Sequence, residues 1–200
     1  MPQRSPLSTP VNTPDTQPAG ARLFFALCPD QGAGDSIYKS TRNAVQASGG
    51  RPTSRENLHI TLAFLGNVAA DLEARVAALA TDTAAEVAAA PFSFDLDEIG
   101  YWPGSQVLWY GCRQTPETLR ELAMQLRRRL QAARLPPKAD KFVPHVTLAR
   151  WVKNPGPLPA AVRIPWEVRE FVLMRSETLA AGVRYTPLAR CTLGRQASLL

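Results

Sequence analysis

Asn57-Leu58-His59-Ile60-Thr61-Leu62-Ala63-Phe64-Leu65 is the stretch on which the fold turns, because its centre recurs downstream as Pro144-His145-Val146-Thr147-Leu148. The chain has two histidines in 200 residues, and both fall in a His-x-Thr-aliphatic tetrad. Chance would place both there in roughly one such chain in a thousand, well below the usual false-positive rate of a short motif. One His-x-Thr is a weak signal. A pair that uses every histidine is a strong one.

The flanks predict the local geometry. Leu58, Ile60, Leu62 and Phe64 share one parity, and His59, Thr61 and Ala63 the other, the period-2 pattern of a strand with one face in a core. Val146 and Leu148 flank His145 and Thr147 in the same way. Each tetrad therefore sets an imidazole beside a hydroxyl on the face opposite the packed one. Two such strands along one cleft would aim two imidazoles and two hydroxyls at one substrate.

Composition narrows the class. An apolar content of 45% over 200 residues supports a sizeable core. Cys28, Cys112 and Cys191 are odd in number, widely spaced and without a C-x-x-C, so they read as cytosolic thiols, not a disulfide frame or zinc site. No apolar run reaches the length of a membrane span, and Met1-Pro2-Gln3-Arg4-Ser5 lacks a signal-peptide core, so a soluble cytoplasmic protein without membrane partners is expected. The net charge is +6, and +5 of it lies between Arg120 and Lys141. Two readings of that run stay open: an anionic partner, nucleic acid first, or the solvated face and last turns of a helix.

Taken in order, residues 1–20 are rich in Pro, Thr, Ser and Gln, and predict a disordered tail. Arg22 to Leu27 reads as a strand with Phe24 either a ring platform in a cleft or one side of a strand buried on both faces. Residues 30–48 predict a helix closed by Gly49-Gly50, and residues 70–90 a second helix stopped at Pro91. Phe92 to Ile99 and Val107 to Cys112 read as the two strands of a hairpin around the turn Tyr101 to Ser105. Thr115 is the expected cap of a third helix, with Pro116 at its first position and Leu119, Leu122, Ala123, Leu126, Leu130 and Ala133 as its buried stripe. A Pro-rich loop over 154–165 and two strands, Val168 to Glu177 and Arg184 to Leu193, complete the chain. A repeat emerges: Arg22 to His59 spans 37 residues and Gln106 to His145 spans 39, each strand, helix, then His-x-Thr strand. A duplicated unit with a pseudo-two-fold axis through the cleft would leave that pattern.

Two imidazoles of ordinary pKa can divide a proton load at neutral pH, one as base and one as acid. In-line displacement at phosphorus needs that division, and Thr61 and Thr147 hydroxyls can donate to the non-bridging oxygens as charge builds there. Metal binding competes as a reading, but there is no third histidine and no carboxylate at ligand spacing. A polar residue satisfied at a strand edge would account for one such histidine better than for two.

These tetrads resemble the paired signatures of the two-histidine phosphoesterases, above all the RNA 2′,3′-cyclic phosphodiesterases, also called bacterial 2′-5′ RNA ligases. Arg22-Leu23-Phe24-Phe25-Ala26, Leu65-Gly66, Val107-Leu108-Trp109, Arg150 and Gly182 to Tyr185 match as well, so the likeness runs from about Arg22 to Leu193. It implies an α+β, bilobal, pseudo-two-fold duplicated fold, one domain over residues 21–195, with antiparallel sheets lining a central cleft, helices outside, and no metal or cofactor. It also implies hydrolysis of RNA 2′,3′-cyclic phosphate ends to 2′-phosphomonoesters, with His59 as proton donor and His145 as acceptor. Thr61, Thr147 and Arg150 would hold the phosphate, Phe24 would stack on the terminal base, and Phe142 would be a second stacking ring. The implied partner is RNA ending in a cyclic phosphate, tRNA fragments included, acted on by a monomer, with reversible 2′-5′ ligation as a second capacity. Arg150 has the parity of Val146 and Leu148, so it needs a bulge or the strand's end to turn inward. Two alternatives remain: a phosphodiesterase of a small nucleotide cyclic phosphate, and a non-catalytic RNA-end-binding protein.

Overall fold

A computed structural model of the chain describes residues 21–86, 90–135, 137, 141–179 and 182–194; the expected tail lies outside them. In chain order the elements are β1 (Ala21–Leu27), α1 (Gln31–Ala47), β2 (Arg51–Pro52), β3 (Ile60–Val68), α2 (Glu73–Glu86), β4 (Phe92–Leu96), β5 (Glu98–Trp102), β6 (Val107–Gly111), α3 (Glu117–Ala132), β7 (His145–Arg150), β8 (Ile164–Val168), β9 (Glu170–Leu179) and β10 (Gly182–Thr192). All strand pairs are antiparallel. The main sheet runs β10-β9-β1-β3-β7-β6-β5, with β2 added on β7.

The duplication is visible in this order. β1-α1-β3 and β6-α3-β7 are the two copies, and the His-x-Thr strands β3 and β7 lie side by side at the centre. β3 and β7 share a single residue pair, Ile60 with Val146, and β2 of the first copy adds Arg51 with Arg150 and Pro52 with Ala149, so the two lobes of the sheet meet over a short seam. This is the expected α+β bilobal fold.

Hydrophobic patterning assigns the helices to one face. Ile37 of α1, Val76 and Ala80 of α2, and Leu119, Leu122, Ala123, Leu126 and Leu130 of α3 pack in one core with Leu23, Phe25, Ile60, Leu62, Val146 and Leu148. The opposite face carries a small cluster of its own: Phe24, Ala26, Val172 and Met174, with Phe64 and Tyr185 against it. β1 is thus buried on both faces, the second of the two readings of its pattern. α1 is opened by Asp30, whose carboxylate accepts from the Ala33 N–H at 2.7 Å. No helix among the described residues is long and apolar enough to cross a membrane. The three cysteines are free.

Three expectations are corrected. Phe92 to Ile99 is not one strand: Phe92–Leu96 pairs with β8 in a separate two-stranded sheet, and the hairpin partner of β6 is Glu98–Trp102. The chain changes sheets at Asp97, whose N–H donates to Gly111 O and whose carboxylate accepts from the Arg113 N–H. β8 begins inside the Pro-rich loop, where Pro165 is tolerated because that strand has a neighbour on one side only. Thr115 does not cap α3; Pro116 occupies that position, with its carbonyl accepting from the Arg120 N–H.

Candidate active site

The two histidines are held by the same device. His59 directly precedes β3 and its Nδ1 lies 2.7 Å from Asn57 O; His145 opens β7 and its Nδ1 lies 2.8 Å from Val143 O. A carbonyl can only accept, so each Nδ1 carries the proton and each Nε2 is left for chemistry. The 3-10 turn Arg55–Asn57 sets the first carbonyl, and the Asn57 amide in turn donates to Val183 O across to β10.

The Ile60–Val146 pair positions the rest. In an antiparallel register centred there, His59 faces Thr147 and His145 faces Thr61. The histidines are then diagonal neighbours, with backbones roughly 7–8 Å apart in a regular sheet. Both are close enough for His145 to act on the His59 charge.

A pair of β-bulges decides what else joins them. Between the Phe25–Ala63 and Ala26–Thr61 pairs, Leu62 is the extra residue; between Leu108–Ala149 and Trp109–Thr147, Leu148 is. Each falls three residues after its histidine. A bulge reverses the facing of the residues that follow it, on β3 as far as a second bulge at Leu65. Ala63 and Ala149 consequently enter the main core, while Phe64 packs against Phe24 on the histidine face. Strict alternation puts Phe64 and Ala63 on each other's sides, and the bulge overturns it. Arg150, whose parity points away from the cleft, faces the site, and its guanidinium disfavours the charged form of both imidazoles. The bulged carbonyls stay satisfied: Leu62 O accepts from Arg127 Nε at 3.0 Å and Leu148 O from the Thr53 N–H at 2.8 Å.

Aromatic rings wall each imidazole. Phe24 and Tyr185 lie 5.0 and 5.1 Å from the His59 ring, and Trp102 lies 4.5 Å from the His145 ring, edge-on. Trp102 is backed by Trp109, which lies so flat on β5 that a Cβ on Gly100 would come within 2.1 Å of it. Burial pushes the His59 pKa down from 6.5 to about 4, opposed by the Asn57 hydrogen bond and reinforced by Arg150 and His145. Burial lowers that of His145 also, opposed by Val143 and reinforced by Arg150. Both rings keep a partial opening to solvent, and the free protein holds both imidazoles neutral at pH 7.

Residues 33–179 match the family model of the 2′-5′ RNA ligase superfamily. The chain belongs to that superfamily. Among curated members, the RNA 2′,3′-cyclic phosphodiesterase of Escherichia coli is 34% identical over 173 residues, covering 86% of this chain and 96% of that one. The enzyme of the same name from Thermus thermophilus is 31% identical, covering 86% and 90%. The crystal structure of E. coli LigT complexed with phosphate superposes with a TM-score of 0.75 at 35% identity, over 88% of this chain and 99% of that one.

Of the residues read from the sequence, the superfamily fold here brings His59, His145, Thr61, Thr147 and Arg150 to one place. Phe24 borders it, but at 3% exposure its ring is floor beneath Tyr185, with no free face for a base. Phe142 packs against the main core with the Arg127 guanidinium 5.8 Å over its ring, on the other side of the sheet. The sequence reading misses Tyr185, Trp102 and Trp109. It places Trp102 in a turn; ending β5 on it, with Val107 opposite, would put it on the histidine face. Among the described residues no group of three His, Cys, Asp or Glu side chains is placed to hold a metal ion.

Proposed function

We propose that the protein hydrolyses RNA 2′,3′-cyclic phosphate ends to 2′-phosphomonoesters by two-histidine acid–base catalysis. His145 Nε2 takes a proton from the attacking water, the water oxygen bonds to phosphorus, the bond to the 3′-oxygen breaks, and His59 Nε2 delivers its proton to that oxygen. Thr61 and Thr147 donate to the non-bridging oxygens, and Arg150 balances their charge. The His59 proton arrives with the substrate, since an anionic phosphate beside a depressed imidazole favours its charged form. What carries the reading is the matched pair: two imidazoles, each with Nδ1 tied to the carbonyl two residues back, on either side of one strand junction. The relatives named for this activity support the same substrate class.

The same proposal includes tRNA-derived fragments as substrates, a cytoplasmic monomer with residues 21–195 as its working unit, and reversible 2′-5′ ligation. The test is a 2′,3′-cyclic-phosphate-terminated oligoribonucleotide incubated with the protein in excess EDTA. A 2′-phosphate end formed over many turnovers is expected. No product, product only with added divalent metal, or a 3′-phosphate end would each defeat it.

A further inference from the structure

The end of β7 holds a feature that the reaction above does not use. Arg150 turns into the site, and Val152 is fully buried with its N–H donating to Gln106 O. Trp151 between them is driven outward, at φ 57° and 61% exposed. That backbone region suits Gly, Asn or Asp, and a bulky side chain there is a genuine outlier. The bend explains why residue 151 is exposed but gives no reason for an indole. Neither core packing nor local conformation favours it, and strain of this kind collects at functional sites.

What lies beside the ring supplies the reason. Arg51 on β2 is paired in register with Arg150, and its guanidinium sits 5.5 Å from the Trp151 ring centroid. β2 is held there by Gly50, where a Cβ would fall 2.8 Å from Arg150 O and 2.4 Å from the Val152 side chain. An exposed indole, a cation over it and a second cation turned toward both histidines therefore stand in sequence from solvent to site. Single-stranded RNA is bound through this combination, a stacking surface beside charges that track the backbone. With the terminal ribose at the histidines, a strand that leaves along β7 past Arg150 meets Trp151.

We infer that Trp151 and Arg51 form a stacking shelf for the base of the nucleotide preceding the cyclic-phosphate end of a single-stranded RNA. The inference rests on the function proposed above for its substrate class and extends the site by one nucleotide. The shelf distinguishes an RNA end from a mononucleotide, which reaches the histidines without touching it.

The test compares the parent with Trp151→Asn, which suits the local backbone, and Trp151→Phe, which keeps a ring. Fluorescence anisotropy measures binding of a labelled short oligoribonucleotide ending in a 2′-phosphate, and competition measures a mononucleotide 2′-phosphate. Trp151→Asn should weaken the oligonucleotide by about five- to 150-fold, the range for one base–aromatic stack, and leave the mononucleotide unchanged. Trp151→Phe should retain most of the affinity. The thermal midpoint of Trp151→Asn should equal or exceed the parent's, so a folding defect would not imitate the result. Unchanged oligonucleotide affinity, equal weakening of both ligands, or a parent that binds no oligonucleotide would overturn the shelf. Self-association that vanishes in Trp151→Asn while RNA binding persists would reassign the ring to a contact between copies and overturn it too. If Trp151-dependent binding holds but the parent has no turnover, the proposed reaction fails and the shelf stands.

Discussion

His59 and His145 share one solution to one problem. A general acid or base needs a defined tautomer, and a backbone carbonyl two residues back fixes it without a carboxylate partner. His59→Ala and His145→Ala should each lower kcat about 10²- to 10⁴-fold with little change in thermal midpoint. The direction of the shifts sets the pH dependence. The reaction needs one neutral and one protonated imidazole, and in the free protein both titrate below 6.5. The bell of kcat/KM should therefore peak on the acid side of pH 6.5. Bound phosphate raises both pKa values, so the kcat bell should peak at higher pH; coincident bells would contradict the scheme. Removing the Arg150 cation in Arg150→Gln should move the kcat/KM optimum to higher pH and raise KM.

At the scale of elements, β3 and β7 share a bulge three residues after each histidine. Alternation correctly puts His59, Thr61, His145 and Thr147 opposite the core because they precede the bulges. It misplaces Ala63, Phe64 and Arg150 because they come after them, and nothing in the local letters announces an extra residue at Leu62 or Leu148. The partner strand creates it, through a register only the sheet contains. The basic run is ambiguous in sequence for a similar reason. α3 covers the core face, and Arg127 reaches past it to the Leu62 carbonyl, so part of that charge serves the fold. Arg127→Ala should cost about 1.5–3 kcal/mol, the worth of a hydrogen bond to a charged group, and loosen the bulge. Exposed Arg128→Ala should cost almost nothing. Urea unfolding of the two variants checks the contrast.

For the whole molecule, one buried residue pair joins β3 to β7 and also sets the separation of the histidines. Ile60→Ala should cost about 2–5 kcal/mol and lower kcat as well, since the same contact carries both stability and site geometry. Folding is also linked to pH. His59 is depressed to about 4 when folded and titrates near 6.5 when unfolded, so stability is full above pH 6.5 and falls between there and pH 4. The loss reaches about 3 kcal/mol by pH 4, and His59→Gln should remove the roughly 2 kcal/mol of it that falls between pH 7 and pH 5, read as urea midpoints at those two pH values. Two repeated tetrads, their period-2 flanks and the helix stripes were enough to determine the duplicated fold, the two histidines proposed as the acid–base pair and the face they occupy, because those properties depend on spacing along the chain. Tertiary structure alone decided that Arg150 turns inward, that Phe24 and Phe142 are packed away from a base, that Trp102 and Tyr185 wall the imidazoles, and that Trp151 stands in solvent beside Arg51. Each of these depends on which strand lies alongside and in what register, and on bulges that exist only once two strands have paired.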